Sequence, residues 1–302
     1  MPTDSTRPPF RFGVSMRVAA SPDDWAAKCR RAESLGYSTV LVPDHLGTLA
    51  PFPPLIAAAD ATERLRVGTF VLNNDFHNPW LLAREIATTD LLTGGRLELG
   101  IGAGHMKAEY DTAGIRFEPG AARVARLAES VGIVSRLLAD EGHHPHPVQR
   151  PRPPLLIGGN SDGILRLAAA EADILGLTGL VQARGEPPGS FRLAAPAATD
   201  ERVRCFRACA GQRAGSVEVN ALVQRVIVTA DRRGEAKRAL AEELPYLSGD
   251  ELLETPFVML GTVEQLVDQM HERRERFGIT YVVVFEPSME ALAPVVERLS
   301  GR

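Results

Sequence analysis

The segment from residue 65 to residue 109 constrains the fold of this chain more than any other part of the sequence. Two short, mostly apolar runs at 65–72 and 97–101 have the composition of buried strands. Between them, Asn78 is a suitable N-cap and Pro79 occupies the first position of a predicted helix. This is a strand–helix–strand unit, and small or polar residues follow both strands. In parallel α/β folds, ligands bind at this end of the strands.

The rest of the chain repeats the same alternation of strand and helix. Eight strands within 302 residues predict a single (β/α)8 TIM-like barrel over residues 1–302, with insertion loops. The tail is predicted at 1–10 and an insertion at about 182–213. The first part of the insertion, 182–195, is rich in Gly, Pro and Arg, and a helix that returns to the barrel is predicted after it at about 199–210. A doubly wound sheet is the competing fold, but its usual first turn is missing. The predicted strands are 12–16, 39–43, 65–72, 97–101, 154–157, 172–177, one within 217–229, and 281–285.

Charge and composition limit the partners of the chain. A net charge of −4 argues against binding to nucleic acid, which usually requires a basic surface. The longest apolar runs fall short of the roughly 20 residues that a membrane span needs. Three cysteines are too few for a disulfide framework, and the first ten residues do not read as a secretory signal. We therefore expect a cytoplasmic protein with a small-molecule substrate, and a homodimer is compatible with these features.

Asp44 and His45 follow the predicted strand 39–43 and are the first candidates for chemistry. At a strand end of a barrel, a carboxylate and an imidazole face the active-site mouth. A histidine can donate a hydrogen bond or a proton near neutral pH, and an aspartate can orient it or hold a ligand. The alternative is an aspartate that caps the next turn beside a solvated histidine.

Two glycine-rich turns also follow strands. Gly100, Gly102 and Gly104 do not have the spacing of a dinucleotide-binding loop, because His105 stands where the third glycine would fall. They indicate either a tight turn or close approach of the backbone to a flat ligand. The run 158–161 precedes a helix whose N–H groups suit a phosphate, but an ordinary turn between strand and helix would look the same.

The histidines at 143, 144 and 146 do not predict a metal site. They lie in a Pro-rich stretch without a regular element, and neither cysteines nor carboxylates accompany them at ligand spacing. We therefore expect no metal in this protein.

The chain resembles the luciferase-like flavin and deazaflavin oxidoreductases, and within them the branch that uses coenzyme F420. The resemblance implies a TIM-like barrel with an insertion after the seventh strand or nearby. It extends over nearly the whole chain, and the segment 65–109 is its most specific part. The stretches that carry it are FRFGVS, VPDHLG, LRVGTFVLNNDFHNPWLLARE, TDLLTGGRLELGIGAGHMKAEY, PPLLIGGN and PFVMLGTVEQL.

This resemblance implies roles for individual residues. Asp44 would touch the deazaflavin, and His45 would lie near the centre of hydride transfer. A non-proline cis peptide is expected at Phe70-Val71, behind the ring. The residues expected to take part in catalysis are His45 and Glu109, and those expected to bind the cofactor are Asp44, Phe70, Val71, Asn73, Gly104, His105, Gly158, Gly159 and Asn160.

The activity predicted from the sequence is hydride transfer between C5 of F420 and a small organic substrate. An FMN-dependent luciferase-like monooxygenase is the first alternative, and a non-catalytic flavin-binding barrel is the second. F420 carries an acidic tail beyond its phosphate, so cationic residues are expected farther out along the mouth. Arg184 and Arg192, in the predicted insertion, are the candidates for contact with that tail.

Overall fold

In the computed structural model, the described residues 8–183, 185–187 and 189–302 form thirteen strands and eleven α-helices. The strands are β1 (Arg11–Ser15), β2 (Thr39–Val42), β3 (Arg66–Thr69), β4 (Leu72–Asn73), β5 (Leu97–Gly102), β6 (Leu155–Gly158), β7 (Ile174–Leu177), β8 (Leu180–Gln182), β9 (Phe191–Leu193), β10 (Glu218–Val223), β11 (Arg225–Val228), β12 (Val258–Gly261) and β13 (Ile279–Phe285). The helices are α1 (Pro22–Ser34), α2 (Phe52–Ala61), α3 (Pro79–Leu92), α4 (Lys107–Ala113), α5 (Gly120–Ala139), α6 (Asp162–Glu171), α7 (Pro196–Ala210), α8 (Arg232–Glu242), α9 (Gly249–Glu254), α10 (Val263–Phe277) and α11 (Met289–Leu299).

Nine of the strands form one parallel sheet that closes on itself. Its order is β3-β2-β1-β13-β10-β7-β6-β5-β4, and β3 also pairs with β5. Because β3 and β4 follow one another in a single interrupted strand, the sheet is a barrel of eight strands. The predicted (β/α)8 fold is therefore confirmed.

The helix boundaries follow from local sequence signals. Asn78 caps α3 through its side chain, with Pro79 at the first position. Thr262 and Gln265 form a reciprocal capping box at the start of α10, and Gly278 ends that helix in a left-handed conformation. These signals place each helix against the outside of the barrel.

The N-terminal ends of the strands are closed by buried charges. Glu98 on β5 is 3% exposed, and its carboxylate lies 2.7 Å from both Arg11 Nη1 and Arg66 Nε. Arg11 also pairs with Glu218 at the start of β10. Each buried charge thus has a partner of opposite sign, which its burial requires. The functional end of the barrel is the opposite one.

The predicted strand 65–72 is interrupted at Phe70 and Val71. The peptide bond between these two residues is cis, as expected from the resemblance. The glycines of the two next barrel strands accommodate the Val71 side chain. A Cβ atom on Gly102 would lie 2.9 Å from Val71 Cγ2, and one on Gly158 would lie 3.0 Å from Val71 Cγ1. The packing of Val71 therefore requires glycine at these positions, whether or not a ligand is present.

An antiparallel hairpin, β8–β9, follows β7, the sixth strand of the barrel, and so lies near the position that the resemblance implies for an insertion. The helix predicted at about 199–210 is α7, which packs on α6. The segment predicted as one strand within 217–229 is two strands. Only β10 belongs to the barrel, and β11 pairs with β12 in a separate sheet.

The predicted tail is shorter than ten residues. Phe10 is 1% exposed, and its backbone N–H donates to the carbonyl of Arg302. This contact fixes Phe10 to the end of the chain, and residues 1–7 lie outside the described residues. Within the part of the chain that the structure describes, none of the helices has both the length and the apolarity needed to cross a membrane.

Candidate active site

A cavity of about 950 Å³ opens at the C-terminal ends of the barrel strands. It brings together the residues that the sequence analysis named for catalysis or for binding the cofactor's ring and phosphate, but not Arg192, which was expected at the cofactor's acidic tail. The eleven that line it are Asp44, His45, Phe70, Val71, Asn73, Gly104, His105, Glu109, Gly158, Gly159 and Asn160. Their location is as predicted, and their roles stay predictions.

His45 and Glu109 form a hydrogen-bonded pair in this cavity. The two residues follow different strands, and His45 Nδ1 lies 2.8 Å from Glu109 Oε1. The His45 side chain is 33% exposed and the Glu109 side chain 16% exposed, so the pair lies at the cavity wall and is partly shielded from solvent. A carboxylate at Nδ1 orients the ring and leaves Nε2 as the nitrogen available to a ligand.

His105 stands between His45 and the hairpin β8–β9. Its ring centroid is 5.7 Å from that of His45 and 5.2 Å from that of Phe191 on β9, with both contacts edge to face. Desolvation by the cavity wall lowers the pKa of the His105 imidazole to about 4, and the charges of His45 and Arg123 act in the same direction. His105 is therefore a neutral imidazole near pH 7.

Asp44 is engaged by the protein on one of its oxygens. Its Oδ2 accepts a hydrogen bond from the backbone N–H of Asn73 at 3.0 Å and lies 2.8 Å from His77 Nε2. The Asp44 side chain is 12% exposed, and its residue lines the cavity. One oxygen thus orients the end of β4, while the other has no protein hydrogen bond among those of the described residues.

Gly104 permits a close approach between the turn after β5 and the interior of the site. Its φ is +71°, and a Cβ there would lie 2.0 Å from Tyr110 Oη and 2.4 Å from Asn73 Oδ1. Tyr110, which is fully buried, has its hydroxyl 2.9 Å from Asn73 Oδ1. The glycine is therefore required by both backbone conformation and packing.

The turn after β6 leads into the N-terminus of α6. Ser161 caps this helix, and the N–H groups of a first helical turn lack acceptors within the helix, so they can meet a phosphate. The Asn160 side-chain amide points elsewhere, donating to the Leu180 carbonyl at 2.9 Å and to Thr178 Oγ1 at 3.2 Å. Asp162 forms an ion pair with Arg202 and is absent from the cavity wall.

The cationic residues at the mouth are not the predicted ones. Arg192 lies on β9 next to Phe191, and alternation along a strand turns the two side chains to opposite faces. Phe191 lines the cavity, whereas the Arg192 guanidinium lies over the Tyr246 ring, 5.3 Å from its centroid. Arg184 lies outside the described residues. Arg166, on the exposed side of α6, lines the cavity instead, as do Arg17 and Arg123.

Sequence reasoning missed His77, Tyr110, Phe191 and Arg166. His77 lies within the segment 65–109, and Tyr110 directly follows it. The His77 ring contacts Asp44 and the Tyr110 hydroxyl contacts Asn73, and both partners follow predicted strands. Arg166 falls four residues after Asp162, the first residue of α6, and so lies on the same helix face as the first turn, and this spacing was the available signal. Phe191 carried no signal, because only the pairing of β8 with β9 turns it toward the site.

Comparison with known proteins agrees with this architecture. The family model for luciferase-like monooxygenases matches residues 8–281. The chain is 36% identical over 130 residues to an F420-dependent glucose-6-phosphate dehydrogenase of Kribbella flavida, covering 40% of this chain and 39% of that protein. It is also 36% identical over 114 residues to the 4-hydroxyprotoasukamycin monooxygenase of Streptomyces nodosus subsp. asukaensis, covering 36% of this chain and 30% of that protein. The chain thus spans less than half the length of these two curated relatives.

A solved structure shares the fold over nearly its full length. The coenzyme F420-dependent tetrahydromethanopterin reductase of Methanopyrus kandleri superposes with a TM-score of 0.70 at 18% identity. The superposition covers 96% of this chain and 98% of the reductase. At this identity the likeness is one of fold.

Proposed function

Because this chain belongs to the luciferase-like monooxygenase family, we propose that it is an oxidoreductase that binds F420 and transfers hydride between this deazaflavin and a small organic substrate. The observation that carries the proposal is the His45–Glu109 pair, which holds an imidazole at the wall of the mouth cavity. The F420-dependent dehydrogenase of Kribbella flavida, among the relatives, favours the deazaflavin as the cofactor.

The residues of the mouth cavity fit a flat ring joined to a phosphate. The volume of about 950 Å³ exceeds what a small substrate alone needs and lies in the range of cofactor sites. Phe70 and Val71 would form the wall behind the ring, and the Gly104 turn would approach its polar edge. The N-terminus of α6 would hold the phosphate, and Arg166 would contact the acidic tail.

The protein would position the reactants and handle the proton. The bound deazaflavin supplies a C5 atom that accepts or donates hydride. His45 Nε2 would donate a hydrogen bond or a proton to the substrate oxygen, with Glu109 orienting the ring through Nδ1. His105, neutral near pH 7, would offer a further hydrogen bond without adding charge. Phe191 would shield this part of the cavity from water.

An FMN-dependent monooxygenase is the second candidate, because FMN also ends in a phosphate and a curated relative is a monooxygenase. The two cofactors differ in the acidic tail, and Arg166 is the residue placed to sense it. We expect tighter binding of F420 than of FMN. We also expect Arg166→Gln to weaken F420 binding up to roughly fivefold at low salt, since an exposed ion pair contributes about 0.2–1 kcal/mol.

The test is a calorimetric titration of the protein with F420 and FMN side by side. Arg192→Gln is the matched control, because that guanidinium lies over Tyr246 and does not line the cavity. It should leave the preference for F420 unchanged. Equal or tighter binding of FMN would favour the monooxygenase. Binding of F420 without turnover of any alcohol or carbonyl compound would favour the second alternative, a non-catalytic flavin-binding barrel.

A further inference from the structure

A second cavity lies on the outside of the barrel, among α8, α9 and α10. Its volume is about 270 Å³, and none of the residues that line it lines the mouth cavity. Arg232 contributes from α8, Asp250 from α9, and Arg273 from α10. This cavity plays no part in the proposed redox chemistry.

Arg273 is a buried guanidinium at the wall of the second cavity. The residue is 4% exposed, and its Nη2 donates to the carbonyls of Val258 at 2.5 Å and Thr255 at 3.2 Å. Its Nη1 is buried and has no protein acceptor among the described residues. Burial lowers the pKa of Arg273 to about 9, the Glu272 carboxylate opposes this effect, and the nearby charge of Arg232 acts in the same direction as burial. A buried charge with an unused donor is costly unless an acceptor reaches it.

Arg232 also lines the second cavity and carries an unused donor. Its Nη2 donates to the Leu253 carbonyl at 3.4 Å, while its Nε is buried without a protein acceptor in the described part of the chain. Arg276 also lines the cavity, but Asp200 and Glu254 neutralise it through ion pairs. The charge available to a ligand therefore comes from Arg232 and Arg273.

The rim of the second cavity limits which anions can enter. Asp250 and Glu272 line it and are exposed, so the cationic interior is reached past two carboxylates. Their field opposes a multiply charged anion such as phosphate more strongly than a singly charged one. The guanidinium N–H groups match the oxygens of a carboxylate in geometry and charge.

We propose that the second cavity binds a small monocarboxylate, whose oxygens accept hydrogen bonds from the guanidinium groups of Arg273 and Arg232. The volume admits a molecule of a few carbon atoms. Such binding stabilises the folded state, because an unfolded chain does not hold the two guanidinium groups together.

The experiment is thermal unfolding of the full chain with increasing sodium acetate at constant ionic strength, repeated with chloride and with inorganic phosphate. Acetate should raise Tm in a saturable way. Arg232→Gln should weaken acetate binding roughly tenfold or more, since a charge-assisted hydrogen bond is lost. Arg233→Gln is the matched control, because the adjacent Arg233 is exposed and does not line the cavity.

Each result decides between binding and its absence. A saturable rise with acetate in the wild type and in Arg233→Gln, absent or strongly weakened in Arg232→Gln, supports the site. Equal responses of the wild type and Arg232→Gln, or no response of the wild type, would overturn it. If chloride or phosphate raises Tm at lower concentration than acetate, the assignment to a monocarboxylate is wrong.

Discussion

His45 Nδ1 lies 2.8 Å from Glu109 Oε1, so a residue after β2 and a residue in α4 act as one unit at the wall of the mouth cavity. A carboxylate that accepts from Nδ1–H selects the tautomer in which Nε2 faces the ligand. Neither residue belongs to the packed interior of the barrel. Substitutions here should consequently affect chemistry more than folding.

We predict that His45→Ala lowers kcat by ~10²-fold or more, the usual contribution of a general acid or base. Glu109→Gln should lower kcat by a smaller factor, because an amide can still orient the ring through a weaker hydrogen bond. Steady-state kinetics measures both changes in kcat, with a substrate found by screening for F420-dependent turnover. The free energy of unfolding, measured with urea, should change little. An unchanged kcat in His45→Ala would exclude the proposed role.

We predict that His105 titrates below the ordinary histidine pKa of about 6.5, because desolvation lowers its pKa to about 4. Its imidazole proton shifts in an NMR titration should change with a midpoint below pH 6, with assignment by comparison with His105→Gln. The unfolded state takes up the proton near pH 6.5, before the folded state does. Acidification from pH 7 toward pH 4 should therefore reduce the free energy of unfolding less in His105→Gln than in the wild type. A titration midpoint above pH 6 would contradict the prediction.

We predict that Gly104→Ala destabilises the protein more than Gly114→Ala. Both glycines are left-handed, with φ of +71° and +68°, so the backbone cost of about 1 kcal/mol is common to both. The added Cβ at 104 would lie 2.0 Å from Tyr110 Oη, whereas at 114 it meets nothing within 4 Å. The difference in free energy of unfolding should be about 1–3 kcal/mol. Equal urea midpoints would show that the Tyr110 contact is easily relieved.

We predict that Glu98→Gln lowers the free energy of unfolding by about 1–3 kcal/mol, since Arg66 loses its carboxylate partner and Arg11 keeps only Glu218. Burial alone would raise the pKa of Glu98, but the two guanidinium groups outweigh it and lower the pKa below its ordinary value. The contribution of this carboxylate is therefore complete above the unfolded-state pKa and is lost as pH falls through the folded-state pKa.

Urea unfolding at neutral and acidic pH measures both effects. Glu290→Gln is the control, because it breaks an ion pair with Arg31 whose two side chains are about half exposed. That change should have little effect at any pH. If Glu98→Gln were as mild as Glu290→Gln, the buried cluster would not contribute to stability as described.

The barrel was predictable because its signals are local. The cap at Asn78, the capping box at Thr262 and the apolar strands each lie within a few residues of the element they define. The division between β10 and β11 was not predictable, because the run is continuous in β-forming residues. The choice of partner strand depends on β12, which lies some 30 residues farther along.

The location of the site was predictable for the same reason, since the ends of parallel strands gather at one mouth. The contacts within it were not. His77 reaches Asp44 from 33 residues away, and Arg192 turns from the cavity because β9 pairs with β8 in a particular register. Whether a strand side chain faces the cavity or turns away from it changes with every residue along the strand. The orientation is therefore set by how the strands pair, and not by local propensity.

The interruption of the barrel strand at residues 70 and 71 has a consequence for Asp44. As far as Phe70, backbone hydrogen bonds join this strand to β2. In the last of these bonds the Phe70 N–H donates to the Val42 carbonyl. Beyond it, the Asn73 N–H donates to the Asp44 carboxylate instead. At this point the Asp44 side chain, instead of backbone, makes the hydrogen bond between the two strands. The contact lies at the end of the barrel where ligands would enter. The same Asp44 carboxylate holds this part of the barrel together and is the one proposed to contact a ligand, so a loss of activity on its substitution would report on both roles.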